Sequence, residues 1–145
     1  MKALLIGFPA ARAEKLAKTF GDARIETETV SADGAMALRP VAVAPAGAVF
    51  LNTEMGVRRL QNVVERLRKA SARIPIVLTY GAEPGGRLFE MACKHDCWLF
   101  SEADRLARGL TAQEVIEALK RREADETRSR LVDVSLCSGP CSTGD

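Results

Sequence analysis

Thiols and imidazoles are the side chains best suited to soft-metal binding or electron exchange. This chain holds four cysteines and one histidine. The cysteines fall in two C-x-x-x-C pairs, Cys93-Lys-His-Asp-Cys97 and Cys137-Ser-Gly-Pro-Cys141, with His95 inside the first. Four thiolates could ligate Zn2+ or an iron–sulfur cluster. The spacing argues against it: the zinc knuckle separates its cysteines by two residues, and the thioredoxin-like C-x-x-C is tighter by one. Cys97 also opens the apolar run Cys97-Trp-Leu-Phe100, which reads as a strand. The default is a buried Cys97 with free thiols near the C-terminus. No metal and no cofactor are expected, with Cys93, Cys97, Cys137 and Cys141 the residues to watch.

A second stretch carries more information. Gly47-Ala-Val-Phe-Leu51 is small or apolar throughout and closes on Asn52-Thr53-Glu54. A run this short and continuous suits a strand covered on both faces, as in a parallel sheet. Ligands in such sheets sit beyond the carboxyl ends of the strands, where Asn52 would stand. Its side chain is an amide, not an acid. Thr79 ends a similar run, Ile74-Pro-Ile-Val-Leu-Thr79, and a hydroxyl there is more often satisfied locally than functional.

The elements that must position these residues alternate in type. Ala3–Ile6 reads as a buried strand broken by Gly7-Phe8-Pro9, and Ala13, Leu16, Ala17 and Phe20 recur at helical spacing, with Arg12, Lys15 and Lys18 on the other side. Ile25–Val30 is β-branched enough for a strand near an edge. Asp33 could cap a short helix through Leu38, which Pro40 and Pro45 keep from growing. Val57, Leu60, Val63, Val64 and Leu67 form an amphipathic stripe, with Arg58, Arg59, Arg66, Arg68 and Lys69 assigned to its outer side as a solvated face. Strands over 74–79 and 97–100 flank a short helix at 88–94. Thr111 and Glu114 make a capping box for a last helix, striped by Ala112, Val115, Ile116 and Leu119 and ending near Arg122. Five strands alternating with five helices predict a three-layer α/β sandwich around a mostly parallel sheet. The folded domain is expected over 1–122, and 123–145 as a charged, then Ser-, Gly- and Cys-containing flexible tail.

Composition excludes several classes. Apolar residues make up 47% of 145, charged residues 28%, and the formal charge is +2. That balance demands neither nucleic acid nor an anionic membrane, and no apolar run approaches the roughly 20 residues of a membrane span. The N-terminal apolar run is too short for a signal peptide, so a cytoplasmic protein is expected, where structural disulfides are disfavoured. An enzyme is not expected either, for no nucleophile–base pair stands out.

The order and spacing of these elements resemble the receiver domain of bacterial two-component response regulators over roughly residues 2–122. The resemblance implies a flavodoxin-like sheet of order 2-1-3-4-5. In that family the first strand ends in an acidic pair that holds Mg2+, the third in a phosphoaccepting aspartate, the fourth in Ser or Thr, and the fifth in Lys-Pro. An aromatic switch residue stands three positions before the lysine. Here Gly7 and Phe8 occupy the acidic-pair positions, Asn52 the aspartate position, Thr79 matches the hydroxyl, Ser101 and Glu102 replace Lys-Pro, and Trp98 falls on the aromatic position.

An amide cannot form an acyl phosphate, and Gly7 with Phe8 offers Mg2+ no side-chain oxygen. The resemblance therefore implies a degenerate, single-domain pseudo-receiver: a phosphorylation-independent signalling or interaction module, outside the usual phosphorelay chemistry. It would meet a protein partner, or a second copy, through the fourth helix–fifth strand–fifth helix face carrying Arg87 and Trp98. Trp98 is more readily explained by packing than as a working switch. The alternative from another class is a thiol-based metal or redox sensor. A flavin or cobalamin binder is disfavoured: the Gly7–Ala10 loop lacks a hydroxyl-rich phosphate cradle, and the one histidine lies late in the chain.

Overall fold

The computed structural model describes residues 1–35, 46–80, 86–101 and 110–136. Five strands, β1 (Lys2–Ile6), β2 (Glu26–Val30), β3 (Ala48–Asn52), β4 (Ile76–Tyr80) and β5 (Trp98–Ser101), form one parallel sheet of order β2-β1-β3-β4-β5. The helices are α1 (Ala10–Asp22), α2 (Ala32–Ala35), α3 (Val57–Ala70), α4 (Gly86–Lys94) and α5 (Ala112–Leu136). A 3-10 turn, Thr53–Met55, links β3 to α3. Fold class and strand order are as the sequence predicts.

Side-chain alternation along the strands sorts the core into two layers. Leu4, Ile6, Val49, Leu51, Ile76 and Leu78 face one side, under Ala35 of α2, the α3 stripe from Leu60 to Leu67, and Leu88, Met91 and Ala92 of α4. Ala3, Leu5, Ala48, Phe50, Val77 and Phe100 face the other, under Ala13, Leu16 and Phe20 of α1 and Val115, Ile116 and Leu119 of α5. At the centre of the second layer, the Phe20 ring lies 4.7 Å from Phe50 and 6.5 Å from Phe100. All the β3 and β4 side chains are buried, as their unbroken apolar runs require. β2, at the edge, exposes Glu26, Glu28 and Thr29.

Four local expectations need correction. The capping oxygen of α2 is Ser31 Oγ, which accepts from Gly34 N at 2.9 Å, while Asp33 points to Arg59 at 3.8 Å; residues 36–45, including the rest of that expected helix, lie outside the described residues. Val57 is not part of the buried stripe: it is 43% exposed, at the first residue of α3. Arg68 does not join the outer charges. Its guanidinium turns inward and donates to the carbonyls of Ile74 at 2.7 Å, His95 at 2.8 Å and Asp96 at 3.0 Å. One side chain thereby ties the α3–β4 turn to the α4–β5 turn, where Asp96 takes φ 54°.

Finally, α5 does not stop near Arg122 but continues to Leu136, for 25 residues in all. Arg122 donates to the carbonyl of Arg73 in the α3–β4 turn. From Glu123 to Arg130 the sequence is almost wholly charged or polar, and the apolar residues return only at Leu131, Val132, Val134 and Leu136, so the stripe that marks the first turns of the helix is interrupted. Residues 137–145 lie outside the described residues. Among the described residues no helix is long and apolar enough to cross a membrane.

Candidate functional site

The carboxyl ends of β1, β3 and β4 meet beneath the first turn of α1. Parallel pairing places Asn52 beside Thr79 and Leu51 beside Ile6, so Gly7, Asn52 and Thr79 line up across the sheet edge. Gly7 breaks β1 with φ 79°, a conformation that favours glycine, and its N–H donates to Val30 O at 2.9 Å. Pro9 then leads into α1, which brings Arg12 over the strand ends.

Asn52 is 3% exposed, and both ends of its amide are engaged. Nδ2 donates to Gly7 O at 2.9 Å. Oδ1 accepts from Glu54 N at 3.1 Å, capping the 3-10 turn, and from Arg12 at 3.4 Å. The same Arg12 nitrogen donates to Glu54 Oε2 at 2.9 Å. Its guanidinium carbon lies 5.4 Å from the Phe8 ring centre, in cation–π range. Thr53 Oγ1 donates to Thr79 O at 3.0 Å, fastening the turn to β4. Thr79 itself is fully buried, and its hydroxyl has no hydrogen-bond partner among the described residues.

This arrangement does not suit a divalent cation. The acidic-pair positions hold Gly7 and Phe8. The Gly7 carbonyl is occupied by an amide N–H, and a fixed guanidinium already supplies positive charge beside Asn52. Nor does it suit acyl-phosphate chemistry, because the side chain at the strand end is a neutral amide whose oxygen already accepts two bonds. Gly7, Asn52 and Thr79 stand side by side at the strand ends, and Phe8 meets them through Arg12. Ser101 ends β5 beside Tyr80, one strand further out.

Arg87 and Trp98 are not neighbours in one layer. Trp98 is half-buried against the α1–α5 core, whereas Arg87 is exposed on α4 across the sheet. Arg12 is the residue that sequence reasoning missed; Glu54 was in view beside Asn52, but strand alternation alone does not aim it into the pocket. The usable signal was position, for the first turn of the helix after β1 overlies the strand ends of any such sheet.

Cys93 is exposed and Cys97 half-buried, and both are free thiols. Burial, only partly offset by the Arg68 guanidinium, raises the Cys97 thiol from 9.0 to about 11. That is the opposite of an activated thiolate. Cys97 Sγ lies 3.8 Å from His95 O, and His95 Nε2 has no hydrogen-bond partner among the described residues. Those residues contain no cluster of three potential metal ligands; Cys137 and Cys141 lie outside them.

No family model and no curated protein matches the chain. Solved structures do. A response regulator receiver domain protein from Clostridium thermocellum superposes with TM-score 0.65 at 15% identity, over 90% of this chain and 98% of that one. A chemotaxis protein, CheY4, from Vibrio cholerae gives 0.61 at 16%, over 83% and 96%. A candidate pilus assembly-related protein from Burkholderia pseudomallei gives 0.66 at 17%, over 86% and 90%. At these identities the likeness is one of fold, and the fold is that of a receiver domain.

Proposed function

We propose that this receiver-fold chain is a signalling module that works by protein contact, without phosphorylation and without Mg2+. The observation that carries the reading is Asn52: a buried amide at the strand end, hydrogen-bonded through both its nitrogen and its oxygen, with Arg12 rather than a metal supplying the local cation. The chain is not an enzyme on this reading, and it acts in the cytoplasm on a protein partner or a second copy. The fourth helix–fifth strand–fifth helix face is one contact surface: it wraps the sheet edge at β5, with exposed Arg87 on one side of the sheet and half-buried Trp98 on the other. The near-balanced charge supports a protein partner over nucleic acid or membrane.

Incubation with acetyl phosphate and Mg2+, followed by intact-protein mass spectrometry, tests the reading. The expected result is an unchanged mass, and a melting temperature that Mg2+ with beryllofluoride does not move. A phosphoryl adduct that hydroxylamine removes, as it does acyl phosphates, would overturn the proposal.

A further inference from the structure

The outer face of α3 takes no part in the site. The helix carries five basic residues and one acidic residue, Glu65. Arg68 is turned inward onto backbone carbonyls, which leaves Arg58, Arg59, Arg66 and Lys69 exposed to solvent, with exposed Arg73 in the turn beyond. Positions 58, 62, 66 and 69 recur at three- and four-residue steps opposite the buried stripe, so Arg58, Asn62, Arg66 and Lys69 line one ridge, which Arg59 flanks. At 1.5 Å per residue the ridge from Arg58 to Lys69 runs roughly 16 Å. Among the described residues counter-charge on it is sparse. Asp33, itself 91% exposed, reaches Arg59 only at 3.8 Å, and Glu65 accepts from Gln61 within the helix.

Beside the start of the ridge, in the same first turn, stands Val57, 43% exposed and the large apolar side chain that the described surface leaves uncovered. The N-terminal end of the ridge is also held in place. Gly56, at φ 101°, turns the chain into α3 directly after the 3-10 turn that Asn52, Thr53 and Glu54 fasten to β4 and α1.

We infer that this ridge docks an acidic protein segment bearing an apolar anchor. Val57 meets the anchor, and Arg58, Arg59, Arg66 and Lys69 meet the carboxylates. The chemistry favours a protein over the other polyanions. Arginines beside an apolar contact make the usual anatomy of a protein interface. Single-stranded nucleic acid would call for aromatic stacking residues, and the ridge has none. A membrane surface would call for a broad apolar face, and here a single valine stands among charges. The surface is separate from the Asn52 pocket, so this inference goes beyond the proposed function and fails or stands independently of it.

The test uses the full chain and a fluorescein-labelled peptide of alternating Glu and Leu, read by anisotropy. Parallel probes are an oligo-glutamate peptide, a duplex DNA and phosphatidylglycerol vesicles. The Glu/Leu peptide is expected to bind more tightly than the other probes and to weaken by about tenfold as salt rises from low to several times physiological strength. Combined R58E, R59E and R66E should lose on the order of tenfold or more, and Val57→Ser about threefold. Should the charge reversal melt early, the Arg→Gln set replaces it, with the same loss expected. Three results would overturn the inference: no peptide binding, binding indifferent to these substitutions, or tighter binding of DNA or vesicles.

Discussion

Replacing Arg68 by Met should destabilise the fold far more than its place in a charged run suggests. Its short bonds to Ile74, His95 and Asp96 carbonyls, at 2.7, 2.8 and 3.0 Å, are charge-assisted, and two longer ones reach Ala72 at 3.4 Å and Ser71 at 3.5 Å. Met keeps the apolar stem and removes every donor. At about 1 kcal/mol for each of the three short bonds, the loss comes to about 3 kcal/mol. For a domain of this size that is a fall of roughly 9 °C in Tm.

Arg68→Lys should recover less than half of this, since one ammonium cannot span carbonyls from two separate turns. Urea unfolding followed by circular dichroism gives the free energy, and Arg66→Met, two residues earlier on the exposed ridge, is the control, with an expected cost under about 0.5 kcal/mol. A second readout is chemical. Arg68 is the charge that holds the Cys97 thiol down, so its loss should slow alkylation of Cys97 further. The reasoning fails if Arg68→Met costs less than about 1 kcal/mol, or if Arg66→Met costs as much.

Two other outcomes follow from the site and its thiol. Asn52→Asp should destabilise by about 1–2 kcal/mol, because the Nδ2 donor to Gly7 O becomes an oxygen facing an oxygen while Arg12 offsets only part of the repulsion; a gain in stability, or a rise in Tm on adding Mg2+, would contradict this. Cys97 has its folded pKa raised to about 11 from 9.0, so its contribution to stability is complete below pH 9 and is lost as pH rises through 11. Cys97→Ala should therefore show a flatter decline across that window, in paired urea titrations against the parent chain.

The alternation of strands and stripes was legible because burial imposes it: Leu60, Val63, Val64 and Leu67 had to share a face, and β3 and β4 had to be apolar throughout. Gly7, Phe8, Asn52 and Thr79 were placeable because strand ends in a parallel sheet meet at one edge. Long polar side chains were not. Arg12 and Arg68 each read as outer charges, yet each reaches back to backbone or amide groups that sequence spacing does not register. Val57 fitted the apolar period, but it is the first residue of the helix and stays exposed, which the period does not register. The far half of α5 escaped notice for a related reason: the polar run from Glu123 to Arg130 interrupts the apolar stripe by which a helix is read.

That half has a mechanical consequence. The helix is braced at Arg122 on the Arg73 carbonyl, and fourteen residues, 123–136, continue beyond the brace. At 1.5 Å per residue they make an arm of roughly 20 Å, on which a tilt of about 6° at the brace moves the tip by about 2 Å. The fulcrum lies in the turn that ends the basic ridge of α3. A force applied at that ridge therefore acts close to the brace of the longest helix among the described residues.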